Sequence, residues 1–150
     1  MNWQNALKDY KQYLKIERGL SKNSIVSYEY DLKKLLAYLD VHQNSVSPID
    51  INHIALQEFI YDISKSHNAR SQSRIISGLR SFFSYLVFED YRTTNPLDLI
   101  ESPKIGRKLP DTLSLKDIDN LIAAIDLSKP EGERNRAILE TLYSCGLRVS

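Results

Sequence analysis

Between positions 69 and 89 six large apolar residues, Ile75, Ile76, Leu79, Phe82, Phe83 and Leu86, recur at steps of one or three, and no proline interrupts them. At 3.6 residues per turn they fall on one face of a helix about 30 Å long. A face that wide has to be buried against other elements. Three earlier segments carry matching stripes. Residues 3–17 place Trp3, Leu7, Tyr10 and Leu14 on one side and stop at Gly19. Residues 22–39, introduced by Ser21 as N-cap, do the same with Ile25, Tyr28, Leu32, Leu35, Leu36 and Leu39. Residues 52–64 contribute Leu56, Phe59, Ile60 and Ile63, after a polar loop closed by Pro48. Four amphipathic helices on short connections predict an all-α bundle, and no segment reads as a strand.

From position 93 to 112 the texture changes. Pro96, Pro103, Gly106 and Pro110 break the pattern, which predicts a linker with a domain boundary near 102–110. Beyond it Ser114, with Asp117 three residues on, caps a short helix over 115–125, and Pro130 opens a last helix that ends at Gly146. The expected organisation is a domain over 1–101, a linker over 102–112 and a second segment over 113–150. Leu121, Ile122, Ile125, Ile138, Leu139 and Leu142 give those last helices apolar faces. Two helices cannot close a core, so the segment is expected to be loosely ordered, folded back on the first domain, or paired with another copy.

With 42% hydrophobic and 26% charged residues in 150, the chain has the composition of a soluble globular protein. It has no apolar run long enough for a membrane span and does not start like a signal peptide, which predicts a cytoplasmic protein. One cysteine, Cys145, cannot form an internal disulfide and reads as a small core residue. His42, His53 and His67 show no metal-ligand spacing.

Net charge is only +1, yet the positive residues are clustered. No acid lies between Asp62 and Glu89, where Lys65, Arg70, Arg74 and Arg80 stand. A second acid-free stretch over 102–110 holds Lys104, Arg107 and Lys108. Such patches suit phosphate, and they equally suit solvated surface with counter-charges nearby in space. On the fourth helix Arg70, Arg74, Ser77 and Ser81 form a stripe opposite the apolar face. Arginines can pair with phosphates or guanine edges and hydroxyls with phosphate oxygens. The same stripe is also what an ordinary amphipathic helix exposes. Lys22, Asn23, Ser24 and Ser27 lie at the start of the second helix, where unpaired N–H groups favour an anion, although Ser21 and Ser24 also serve as caps.

The order Gly19-Leu20-Ser21, Ser24, Ser27-Tyr28, Asp31-Leu32, then Asn68-Ala69-Arg70, Arg74, Leu79-Arg80-Ser81-Phe82-Phe83, Tyr85-Leu86, Asn95-Pro96, Ser102-Pro103-Lys104, Leu109-Pro110 and finally Leu142-Tyr143-Ser144-Cys145-Gly146-Leu147-Arg148-Val149-Ser150 resembles the tyrosine site-specific recombinases, especially the bacterial Xer type. The likeness runs through essentially the whole chain. It implies a four-helix core-binding (SAM-like) bundle, then a linker and two helices of a truncated catalytic domain. It implies duplex DNA as partner, with Lys22, Asn23, Arg70, Arg74 and Arg80, and the linker residues Lys104, Arg107 and Lys108, as contacts. Other protomers join in the family, which acts as a tetramer on DNA.

Family chemistry is attack of a tyrosine on the scissile phosphate, giving a 3′-phosphotyrosyl bond that is later religated without metal or nucleotide cofactor. Arg148 matches the first catalytic arginine, and a planar bidentate donor suits two nonbridging oxygens. Without the resemblance, an arginine there would read as a partner for the last helix carbonyls. The family's lysine, second arginine with its histidine, later histidine or tryptophan and nucleophilic tyrosine have no match. None of the nine tyrosines lies in the nucleophile's context, and Tyr10, Tyr28 and Tyr85 fall on apolar faces. The expectation is therefore a chain that binds DNA and does not cleave it, whether its parent resolves chromosome dimers or integrates and excises DNA. Two other readings stay open: a stand-alone helical DNA-binding regulator, which the basic fourth helix would serve equally, and a helical protein-interaction domain. No membrane or small-molecule partner is expected.

Overall fold

The computed structural model describes residues 1–42, 45–106, 109 and 111–148. Among these residues there are six helices and no strand: α1 Trp3–Ile16, α2 Lys22–Val41, α3 His53–Ser66, α4 Ala69–Phe88, α5 Leu115–Ala123 and α6 Gly132–Cys145. The first five begin where a short polar side chain can accept a free helix N–H: Asn2, Ser21, Asn52, Asn68 and Ser114 each cap the third residue on. Ser114 and Asp117 complete a reciprocal capping box, whose hydrogen bonds hold the Asp117 carboxyl below its ordinary value. The last helix starts at Gly132 and not at Pro130, because residues 126–132 close a turn first, with Gly132 N–H donating to the Lys129 carbonyl. A Cβ at Gly132 would lie 2.2 Å from the Asp126 carbonyl oxygen, so only glycine fits that turn.

The chain divides into two compact units, Met1–Gly106 and Arg107–Ser150. In the first, α4 packs on α2 and α3, and α1 packs on α2. Its core takes Ala6, Tyr10 and Leu14 from α1, Leu32, Leu35 and Leu39 from α2, and Leu56, Phe59 and Ile63 from α3. From α4 come Ile75, Leu79, Phe82, Phe83, Tyr85 and Leu86. The predicted stripes are thus the buried faces. Tyr10 and Phe82 meet edge to face at 5.3 Å between centroids, the geometry their quadrupoles prefer. Two fully buried residues, Ile51 and Leu97, come from connecting segments. Arg92 fastens these segments: its guanidinium donates to the carbonyls of Pro48, Ile49 and Thr94 and lies 5.6 Å from the Phe83 ring centroid.

In the second unit α5 and α6 touch each other, yet no large apolar side chain is buried on either. Leu121 and Ile138 are exposed, and Ile122, Ile125, Leu139 and Leu142 are half-buried. Cys145, expected as a core residue, is exposed, since a helix pair has too little surface to enclose it. The turn after α6 follows the glycine rule: Gly146 takes φ of 59°, and the Gly146 and Leu147 N–H groups donate to the carbonyls of Tyr143 and Leu142.

Candidate nucleic-acid interface

Of the basic residues expected to contact DNA, Lys22 lies on α2 and Arg70, Arg74 and Arg80 on α4, two helices that pack on each other. Lys34 Nζ lies 2.8 Å from His67 Nε2 just before α4, and Arg74 pairs with Asp31. Ser24 and Ser27 share a groove with Ser77. As the chain ascends α4 its partners descend α2, so the two helices run antiparallel. Lys22 and Asn23 are therefore at one end of the α2–α4 face and Arg70 is at the other. From the level of the Asp31–Arg74 pair, nine residues of α2 and four of α4 separate these ends by about 20 Å at 1.5 Å per residue. That matches about six steps along a DNA strand at 3.4 Å each.

Neither α2 nor α4 has an acid in its first turn. The partial positive charge of each N-terminus is therefore uncancelled locally and available to an anion. Lys22, Asn23 and Arg70 are exposed there. Between the ends lies a groove of about 260 Å³ lined by the hydroxyl residues Ser24, Ser27, Tyr28 and Ser77, with Asp31, Arg74 and Gly78. Ser27 and Ser77 donate their hydroxyl hydrogens to the carbonyls of Asn23 and Ser73, leaving lone pairs outward.

Arg74 is less simple than its sequence position implies. Its Nη1 lies 2.8 Å from both carboxylate oxygens of Asp31, with the hydrogen bond directed at Oδ2. Asp31 is 3% exposed at its side chain, whereas Arg74 keeps 48%. Burial pushes the Asp31 carboxyl above its ordinary value, and the charge and hydrogen bond of Arg74 oppose that push. Helix α4 can approach because position 78 is glycine: a Cβ there would stand 2.5 Å from Asp31 Oδ2.

Ser81 of the predicted stripe, and Arg80, expected as a DNA contact from the resemblance, point elsewhere. Ser81 accepts a hydrogen bond from the Tyr10 hydroxyl at 2.9 Å and so faces α1. Arg80 donates to the carbonyls of Ile100 at 2.8 Å and Leu97 at 3.4 Å, while Asn95 donates to the Arg80 carbonyl and to Ser84 Oγ. The stretch after α4 is thus fastened to α4 by a reciprocal pair of side chains. Its Nη2 is committed to these carbonyls, so a DNA contact by Arg80 falls to Nη1 or Nε. Lys104 is exposed in the segment that follows, and Arg107 and Lys108 lie outside the described residues. Arg148 is exposed two residues past Gly146, and the backbone already meets the carbonyls of Leu142 and Tyr143.

A further row of cations escaped the sequence reading. Lys8, Lys11 and Lys15 of α1 rim a groove of about 730 Å³ floored by Leu7, Leu20, Ile25 and Val26, and Lys22 closes its edge. Their spacing of three and four is legible in the sequence, but Asp9 lies among them and breaks the acid-free run that marks the other two patches. Glu29, also in this groove, is bridged by Lys11 at 2.7 Å and Lys33 at 3.0 Å, which hold its carboxyl below the ordinary range. Among the described residues no helix is long and apolar enough to cross a membrane.

Residues 7–90 match the phage integrase, N-terminal SAM-like domain family, over more than half of the chain. Tyrosine recombinase XerD of Listeria monocytogenes serotype 4b is 37% identical over 147 residues, covering 97% of this chain and 50% of that protein. Tyrosine recombinase XerD of Staphylococcus aureus is 38% identical over 149 residues, covering 98% and 50%. The chain spans about half the length of the curated relatives it matches.

Proposed function

Because this chain belongs to the phage integrase N-terminal SAM-like domain family, we propose that its first unit grips duplex DNA with the α2–α4 face and serves as the DNA-binding half of a tyrosine recombinase. Lys22, Asn23 and the first N–H groups of α2 take phosphates at one end of the face, and Arg70 takes them at the other. Between the ends Arg74 offers the donor edge that Asp31 leaves open, and Ser27 and Ser77 reach a phosphate by turning their hydroxyl hydrogens off the Asn23 and Ser73 carbonyls. Arg80 holds the linker to α4, and Lys104, Arg107 and Lys108 carry positive charge along the path to the second unit.

In the same reading the second unit begins the catalytic domain, and Arg148 is the arginine that neutralises nonbridging oxygens as charge develops on the phosphate. The reaction is attack by a tyrosine to form a 3′-phosphotyrosyl bond, followed by religation within a tetramer on DNA. It serves chromosome dimer resolution or integration and excision. No tyrosine of residues 1–150 takes the nucleophile's role, so this chain binds DNA and does not cut it.

The observation that carries the proposal is the single hydroxyl-rich, basic face built jointly by α2 and α4, with no acid in either first turn. Fluorescence anisotropy with a labelled duplex at several salt concentrations tests it. The logarithm of affinity should fall linearly with that of salt, and Lys22→Ala and Arg70→Ala should each lower the slope by about 0.9. Lys65→Ala, on α3, should leave it unchanged. Equal slopes in all four proteins would overturn the proposed face.

A further inference from the structure

Asp31 is an acid at the centre of a face that is otherwise basic and hydroxylic. Its carboxylate is buried among α2 and α4. Burial raises its pKa despite Arg74, so its contribution to stability is full below the ordinary carboxylate pKa and lost as pH rises through the folded value. Ionising Asp31 is therefore less favourable in the folded chain than in the unfolded one. Gly78 adds a cost, since a helix-interior glycine is held there by the approach of Asp31 Oδ2. Such an arrangement is explained by what it does to Arg74. The guanidinium is tethered at Nη1 by two 2.8 Å contacts while half of the side chain stays open beside Ser27 and Ser77. A free arginine on such a face would seek any phosphate and add to sequence-independent attachment. One whose charge is matched by a buried carboxylate releases no net counterion charge, but it keeps a donor edge in a fixed direction.

Resting on the reading of this face as a DNA-binding surface, we propose that Asp31 is a positioning residue that holds Arg74 as a neutralised, oriented donor, suppressing its use as an indiscriminate phosphate contact. Position 31 thereby sets how far the chain distinguishes one duplex from another.

The test is a two-by-two set, wild type, Asp31→Asn, Arg74→Ala and the double variant, titrated by anisotropy against a labelled duplex of random sequence between about 50 and 200 mM salt. Asp31→Asn keeps the side-chain shape and frees Arg74. Its binding should tighten at low salt and its slope steepen by about 0.9, an added loss of about 3.5-fold across that range. Arg74→Ala alone should keep the wild-type slope, and added to Asp31→Asn it should remove the gain. The melting temperature of Asp31→Asn should not fall, whereas a merely structural Asp31 predicts a fall and no steeper slope. An Asp31→Asn slope equal to wild type, or a flatter slope from Arg74→Ala alone, overturns the inference while leaving the DNA-binding face intact. If Asp31→Asn does not fold, the Arg74→Ala slope decides by itself. A wild type that binds the duplex without salt dependence overturns the underlying function and the inference with it.

Discussion

Replacing Gly78 by alanine sets two known effects against each other at one atom. In an unconstrained helix interior the change stabilises by about 1 kcal/mol, because alanine loses less backbone freedom on folding. Here the new Cβ would stand 2.5 Å from Asp31 Oδ2 and 3.2 Å from its Cβ and Cγ. The carboxylate cannot simply rotate away, since Arg74 Nη1 holds it and it is 3% exposed. Forcing a methyl group into a packed site costs about 1–3 kcal/mol. The sum is a net destabilisation of about 1 kcal/mol, which lowers the melting temperature by about 4–8 °C in a domain of this size. In an Asp31→Ala background the 2.5 Å contact is gone and only the 3.2 Å neighbour remains. Gly78→Ala should then be neutral or stabilising by up to about 1 kcal/mol, and the two sites should couple by about 1–3 kcal/mol. Urea unfolding followed by the fluorescence of Trp3 measures all four proteins. That ring reports on the first unit, because its Nε1 donates to the Val46 carbonyl at 2.8 Å and it stacks on Phe82. Gly78→Ala stabilising the Asp31 protein by the full helix-propensity amount would refute the close approach.

Phe82→Ala should cost about 3–5 kcal/mol, because that ring is fully buried against Tyr10, Trp3 and Phe83; urea unfolding showing under 1 kcal/mol would contradict its core position. Burial raises the Tyr10 phenol above its ordinary pKa and pushes Tyr85 up to about 12. Their stabilisation is full below pH 10 and lost as pH rises toward the folded values, so melting temperature should fall across that window, and by less in Tyr85→Phe. Amide exchange at Ile138 to Leu142 should be far faster than in α4, since α6 buries no apolar side chain. Equal protection in a monomeric sample would contradict this.

The helices of the first unit were legible because each is decided locally, by apolar spacing and by a capping residue such as Ser21 or Asn68. Ile51 and Leu97 were not, since they sit outside any periodic run and are buried only because the connecting segments fold back under Arg92 and Arg80. The site was half legible. Arg70 and Lys22 are exposed cations at helix ends, and sequence order suffices to find them. Arg74 and Arg80 look the same in sequence but differ in structure, because their partners are 43 and 17 to 20 residues away. Asp31 interrupts an apolar stripe and is easily passed over as a polar exception. Its meaning appears only when α4 brings Gly78 and Arg74 against it. The start of α6 was misplaced for a similar reason, since the turn over 126–132 depends on a backbone approach that a proline rule does not contain.

The central claim is that α2 and α4 together carry the DNA. Backbone amide chemical-shift mapping of the isotope-labelled chain, titrated with a duplex, tests it most directly. The account predicts shifts concentrated at residues 22–27 and 70–77, with the outer face of α3 at Ile54, Glu58 and Tyr61 silent. Shifts gathered on α3, with both of those stretches unmoved, would contradict it.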